Sequence, residues 1–316
     1  MFVAAVALGA VALVLAWPVP MILAGASWTA RAPGTALALW QSIALAGGLS
    51  MIGSLLTYGL IPFGSNLPDG VLSLGGHLRD GALPAEASFA HVLALCCAFL
   101  LGAHLVLNLA ATFVRAERQR RRHHHLIALL SDPLPDRPGM RVIDHAAPVA
   151  YCLPGATRSA TVLSAGLLRL LDGDQMRAVI AHEQTHLLQQ HHLVLLAFKS
   201  WHNALPWFPI ANRAENAVAL LVEMLADDRA RHVVDDRTLA SAIALVGSAG
   251  QPDGTDTRTH HDSTRSNEPG HPLNLVTPRV RRLVTPPPPL PMTAKAGILV
   301  AAAALLALPT LLLLLV

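Results

Sequence analysis

The chain has 316 residues, 53% of them hydrophobic and only 14% charged, with a formal net charge of +3 at pH 7. Soluble domains carry about a quarter charged residues, so these proportions exclude an ordinary soluble globular enzyme and put much of the chain in lipid. The small positive balance is mostly arginine beside apolar runs and needs no nucleic acid to explain it.

Residues 1–23 form the first apolar run, with Pro18 and Pro20 near its end. No basic residues precede it, as a signal peptide would require, so it is read as a transmembrane helix with the N-terminus outside. The second run, 36–61, is rich in Gly and Ser (Gly47, Gly48, Ser50, Gly53, Ser54), which suits close helix–helix approach in a bilayer. A Gly/Pro-punctuated loop follows over 62–87. The third run, 88–114, ends in Arg115-Ala116-Glu117-Arg118-Gln119-Arg120-Arg121-Arg122.

That basic cluster sets the orientation. Arginine-rich segments beside a span belong in the cytoplasm. The loop 62–87 carries Asp69, Asp80 and Glu86 against Arg79, which suits the outside. Residues 115–295 are then cytoplasmic. Residues 297–316 are apolar, and at about 1.5 Å per residue they can cross a ~30 Å hydrocarbon core. The expected protein is a multi-pass cell-membrane protein with four transmembrane helices and both termini outside. Its regions are 1–114 (three spans), 115–246 (a cytoplasmic α+β domain), 247–293 (a linker) and 294–316 (the fourth span).

Within the soluble part, short strand-like runs (141–144 and 160–163) alternate with longer helical ones, an α+β pattern. From 247 the composition turns to Asp, Thr, Pro, Gly, Ser and His, which predicts mobility. Pro286-Pro287-Pro288-Pro289 reads as a stiff extended spacer before the last span.

The chemistry lies at 172–188. Asp172 is a candidate N-cap, and Gln175 can complete a capping box. Nothing breaks a helix from there through His182-Glu183-Gln184-Thr185-His186. Positions four apart share a helix face, so His182 and His186 can hold one tetrahedral Zn²⁺ while Glu183, one step round, faces the attacking water as general base. A hydrolytic zinc site needs a third protein ligand. Glu215 and Glu223 are the available glutamates, and Glu223 is preferred because Asp227 lies one turn after it. A carboxylate there can accept the N–H of a ligand histidine and fix its tautomer.

These residues resemble a known arrangement. His182-Glu183-Gln184-Thr185-His186 followed by Glu223-Met224-Leu225-Ala226-Asp227 looks like the gluzincin pair of HExxH and ExxxD. The stretch Trp201-His202-Asn203-Ala204-Leu205-Pro206-Trp207-Phe208-Pro209 resembles the turn that joins the two site helices in BlaR/MecR-type membrane metallopeptidases. Upstream, Ala150-Tyr151-Cys152-Leu153-Pro154-Gly155 and the run from Thr161 to Leu168 are similar to the strand pair before the zinc helix there and in HtpX-like proteases. The resemblance covers roughly 145–232. It implies His182, His186 and Glu223 as zinc ligands, Glu183 as base and Asp227 as the orienting partner. It also implies an edge strand at Tyr151 that holds substrate, ended by Pro154 and Gly155.

Other features take plainer readings. His123-His124-His125 continues a solvated basic run, and His191 and His192 read as a polar helix end. His202 is a candidate oxyanion donor, with a hydrogen-bonded turn residue as the alternative. His104 and Asn108, four apart in the third span, read as structural hydrogen bonding. Cys96, Cys97 and Cys152 give no disulfide pattern.

The resemblance implies a zinc endopeptidase that cuts a cytoplasmic BlaI/MecI-like repressor. The β-lactam sensors of that family carry a penicillin-binding domain with a Ser-x-x-Lys nucleophile; here neither Lys199 nor Lys295 has a serine three residues earlier. An HtpX-like quality-control protease and a non-enzymatic membrane sensor or scaffold with a structural zinc remain alternatives. Expected partners are a protein substrate and the lipid bilayer, with no direct nucleic acid, and a homodimer stays open.

Overall fold

The computed structural model describes residues 1–134, 139–153, 160–205, 209–249 and 272–316, with the backbone alone at 209, 210, 212 and 272–274. The strand end expected at Pro154-Gly155 and the Pro206-Trp207-Phe208 part of the inter-helix turn lie outside those residues. The chain divides into two compact units.

The first unit comprises Met1–Ala110, Ser200–Ala214 and Leu290–Val316. Its helices are α1 (Phe2–Ala16), α2 (Pro18–Ala24), α3 (Pro33–Gly59), α4 (Leu67–Asp80), the start of α5 (Phe89–Leu130) and, at the chain's end, α12 (Met292–Leu314). Among the described residues four helical stretches are long and apolar enough to cross a membrane, Phe2–Ala24, Pro33–Gly59, Phe89–Leu130 and Met292–Leu314. They match the four spans expected from hydropathy. The first is broken between α1 and α2 at Trp17, whose backbone leaves the helical region (φ −128°, ψ −72°). A residue before proline is disfavoured in that region, and Pro18 follows.

Glycine lets α3 pack closely. A Cβ at Gly53 would meet Leu313 at 3.2 Å and Leu8 at 3.3 Å, and one at Gly59 would meet Leu95 at 2.6 Å. The polar residues of the third span are satisfied within this unit. His104 Nε2 lies 3.1 Å from the Ala204 carbonyl, and Asn108 donates to the Ser200 carbonyl. Each partner spares the other an unsatisfied group at membrane depth.

The 62–87 connection departs from expectation: it contains α4 rather than a continuous loop. Asn66, Pro68 and Gly81 mark its two ends, while Gly70, Gly75 and Gly76 lie inside it. Asn66 caps it by accepting from Asp69 N–H at 2.9 Å, Pro68 occupies the first turn, and Gly81 closes it at φ +69°, a conformation glycine adopts without penalty.

The second unit comprises Ala111–Lys199 and Glu215–Pro289. After the remainder of α5 come β1 (Ser131–Pro133), β2 (Met140–Ile143), β3 (Ala150–Leu153) and β4 (Ala160–Ser164). They form one sheet in the order β1-β2-β4-β3, parallel between β2 and β4 and antiparallel at the other two pairings. Thus β3, with Tyr151 opposite Val162 and Cys152 opposite Thr161, is an edge strand. The helices are α6 (Ala165–Leu170), α7 (Gly173–Leu188), α8 (His191–Ala204, to Lys199 here), α9 (Pro209–Ala230, from Glu215 here), α10 (Asp236–Ala249) and α11 (Pro272–Val284).

Ser164 ends β4 and caps α6. Its hydroxyl donates to the Ala147 carbonyl (2.7 Å) and accepts from the N–H groups of Val149 (2.9 Å) and Leu167 (3.0 Å), the full capacity of a hydroxyl. Beside it a Cβ at Gly166 would lie 1.9 Å from the Ala146 carbonyl oxygen, so only glycine fits.

Helix α7 is apolar on two faces. Met176 and Ile180 pack with Leu163, Leu167 and Leu171. Ala178 packs with Ala230, Leu239, Ile243 and Leu283. Full burial of such side chains contributes about 1.5–3 kcal/mol each, which fixes α7 between the sheet and α10–α11.

One expectation is corrected here. Residues 272–284, read as part of the linker, form α11. Val276, Val280 and Leu283 recur at helical spacing and pack on the cluster around Leu239 and Ile243, and burial of that stripe outweighs the cost of Pro278 inside the helix. The Pro-rich stretch after Val284 is non-helical until α12 begins at Met292.

Candidate metal centre

The expected capping box of α7 is present. The Asp172 carboxylate accepts from the N–H groups of Asp174 (3.0 Å) and Gln175 (2.8 Å), and Gln175 Oε1 accepts from Asp172 N–H (3.1 Å). From that start the helix turns His182 and His186 to one side. Their Nε2 atoms are 3.2 Å apart. Helix α9 brings Glu223 opposite, with carboxylate oxygens 3.3 Å from His182 Nε2 and 3.5 Å from His186 Nε2. His182, His186 and Glu223 form a group that could hold a metal ion, whereas Glu215 does not join it.

Behind the donors sits Asp227. It is 1% exposed, and its Oδ1 lies 3.0 Å from His182 Nδ1. A proton held there leaves the Nε2 lone pair of His182 facing Glu223. Two imidazole nitrogens and a carboxylate converging in this way need a proton or a cation between them, and His₂Glu is a known zinc donor set. The residues present therefore fit zinc.

The electrostatics agree. Burial disfavours charge on His182, but its hydrogen bonds to the Asp227 and Glu223 carboxylates outweigh that and lift the group to about 9. Two carboxylates ask for positive charge at this point, which a proton or a metal ion can supply. Burial pulls His186 down to about 4, so at pH 7 it is a neutral imidazole, the form in which histidine can ligate a metal. Glu223 is held down at about 2: burial opposes its charge, and His182 and Arg279 overcome that.

Glu183 points to the sheet side. Its carboxylate accepts from the backbone N–H of Cys152 on β3, and burial pushes it up to about 7, against the pull of His182. A carboxylate near that value can both take and return a proton at neutral pH.

Two parts of the centre were not foreseen. Arg279, on α11, donates from Nε (2.8 Å) and Nη2 (2.7 Å) to the two oxygens of Asp227, and its Nη1 lies 2.8 Å from Glu223 Oε2. Next along α11, Arg282 pairs with Asp228 at 2.7 Å. The spacing Arg279–Arg282 against Asp227–Asp228, on a stripe of Val276, Val280 and Leu283, was the available signal. Prolines at 272, 278 and 286–289 obscured it. The second is His191, read as a polar helix end. It is 2% exposed and its ring stands edge-on to His186 at 4.9 Å.

Two further candidates, Tyr151 and His202, are not members of that donor group among the described residues. Tyr151 packs with Ile127, Leu153 and Val162 and stands against the His123 ring, while the backbone of the same strand meets Glu183 through Cys152 N–H. His202 falls in the first unit with the spans.

Residues 114–231 match the model of Peptidase family M48. That stretch is a little over a third of the chain; it holds the two histidines, Glu183, Glu223 and Asp227, and stops short of Arg279. No curated protein and no solved structure matches the chain.

Proposed function

We propose, from a peptidase-family match that encloses the whole donor set, that this chain is an integral-membrane zinc metalloendopeptidase. The observation that carries it is the convergence of His182, His186 and Glu223 with Glu183 beside them and Asp227 fixing His182. His182, His186 and Glu223 would hold the zinc, which when bound supplies Lewis-acid activation of water and of the scissile carbonyl. Glu183 takes the proton of the attacking water and delivers it to the leaving amine. Asp227 holds the His182 Nδ1 proton throughout. An extended substrate adds to the free edge of β3, alongside Cys152, whose N–H is already committed to Glu183.

The basic run after the third span favours a cytoplasmic site and outside termini. The substrate we favour is a cytoplasmic BlaI/MecI-like repressor, on the likeness of the motif spacing and the inter-helix turn to BlaR/MecR-type peptidases. A second reading, an HtpX-like protease acting on membrane proteins, draws support from Ser200–Ala214. This stretch, from the end of α8 to the start of α9, clusters with the apolar helices of the first unit.

The test uses full-length protein in detergent, wild type beside Glu183→Gln, with zinc content and cleavage of a BlaI-like repressor and of an unfolded membrane protein followed together. Zinc in both and a single cut in the repressor by wild type alone support the first reading. Cuts in the membrane protein alone support the second. Zinc in neither removes the metallopeptidase assignment.

A further inference from the structure

The two histidine ligands are oriented by different means, and the second means has no place in the sequence pattern. His182 has a carboxylate behind it. His186 has a neutral imidazole. Its Nε2 faces His182 and Glu223, and its Nδ1 lies 3.1 Å from Nδ1 of His191. The other nitrogen of His191, Nε2, lies 2.9 Å from Gln189 Oε1.

A backbone feature makes this possible. Gln190 adopts φ +50° between α7 and α8, a left-handed conformation that non-glycine residues rarely take. It reverses the chain within two residues, so the first residue of α8 folds back on the last turn of α7. Without it His191 would follow the helix outward, as its sequence position suggests.

The hydrogen-bonding inventory then fixes every proton. An amide oxygen only accepts, so His191 Nε2 carries hydrogen. A neutral His191 is then an acceptor at Nδ1. The proton between the two Nδ1 atoms must therefore sit on His186. With Nδ1 protonated, the lone pair of His186 is on Nε2, the atom turned toward the donor set. We infer that Gln189 and His191 form a proton-locked relay that holds His186 in its metal-binding tautomer, His191 acting as a positioning residue rather than as a ligand.

This rests on the zinc-site reading and deepens it. The relay also explains a charge choice. A carboxylate behind each histidine would add another buried anion to Glu223 and Asp227; the imidazole–amide pair orients His186 without one. Partners of this kind are typically worth about 10–100-fold in metal affinity.

The test is zinc affinity of the full chain in detergent, measured by chelator competition, with thermal unfolding of the metal-stripped protein in parallel. His191→Phe keeps the buried ring and removes the acceptor. Gln189→Leu removes the terminal acceptor at an exposed position, where folding is not at risk, and Gln189→Glu keeps an acceptor. The relay predicts weakening of about 10-fold or more for His191→Phe. It further predicts a smaller loss in the same direction for Gln189→Leu and wild-type affinity for Gln189→Glu, with metal-free unfolding temperatures close to wild type. Wild-type affinity in Gln189→Leu overturns the relay, whether or not His191→Phe folds, and leaves the metallopeptidase reading standing. Failure of the wild type to bind zinc overturns both.

Discussion

Arg279 grips both oxygens of Asp227 from a helix 52 positions further along the chain, at 2.8 and 2.7 Å. Asp227 in turn holds His182 Nδ1 at 3.0 Å. A buried anion therefore stands between two partners, one the His182 imidazole and the other a cation. Burial opposes the charge on Asp227, yet the guanidinium beside it keeps its carboxyl below the usual carboxylate range.

Removing that cation strands the anion. Arg279→Met leaves Asp227 buried with only His182 for company, and breaking a buried pair costs about 3–5 kcal/mol. The expected result is a clear drop in the thermal midpoint of the purified protein together with weaker zinc binding. Arg282→Met, which cuts a pair to the part-exposed Asp228, should cost less. Equal effects at the two arginines would contradict the picture.

Glu183→Gln should retain zinc and lose cleavage by about 10²–10⁴-fold, the usual contribution of a positioned acid–base group. The wild type should also show an acid limb. Burial raises Glu183 to about 7, and the base works only when deprotonated, so activity is present above that value and falls as pH drops through it. A bound cation pulls the limb lower. The limb should vanish from the residual activity of the glutamine variant.

Glu223→Gln should lose bound zinc, and Glu215→Gln should keep it. Metal content of the two purified variants settles which glutamate is the third ligand.

Gly166→Ala should destabilise the second unit by about 3 kcal/mol, the upper end of the usual overpacking cost, since the added methyl meets backbone rather than a movable side chain. Ala146 O lies 1.9 Å from the position the Cβ would take. Limited proteolysis of the variant, compared with wild type, reads this directly.

The helix bearing both histidines was legible because local signals agreed: Asp172 and Gln175 as cap, then unbroken helical spacing to His186. Glu223 was legible for a related reason, since Asp227 sits one turn away on the same helix. Hydropathy gave the spans. Residues placed by tertiary structure were less visible. Arg279 reaches the site because Val276, Val280 and Leu283 bury a stripe, and that stripe is short and interrupted by Pro278. His191 reaches it through a backbone reversal at Gln190, whose residue type gives no hint of positive φ. Helix α4 was hidden by Pro68 and Gly81 at its ends and by Gly70, Gly75 and Gly76 within it.

Ser164 carries a consequence for how substitutions in this protein will be interpreted. One oxygen ties the 147–149 segment, the end of β4 and the start of α6, and that segment leads directly into β3, whose Cys152 N–H meets Glu183. Alanine at 164 would remove all three of these bonds at once and loosen the edge strand against α7, while His182, His186 and Glu223 on α7 and α9 stay in place. A variant screen scored on cleavage would flag Ser164 beside Glu183, whereas the same screen scored on metal content would pass it. The two assays together separate residues that do chemistry from one that sets the alignment of the bench on which it is done.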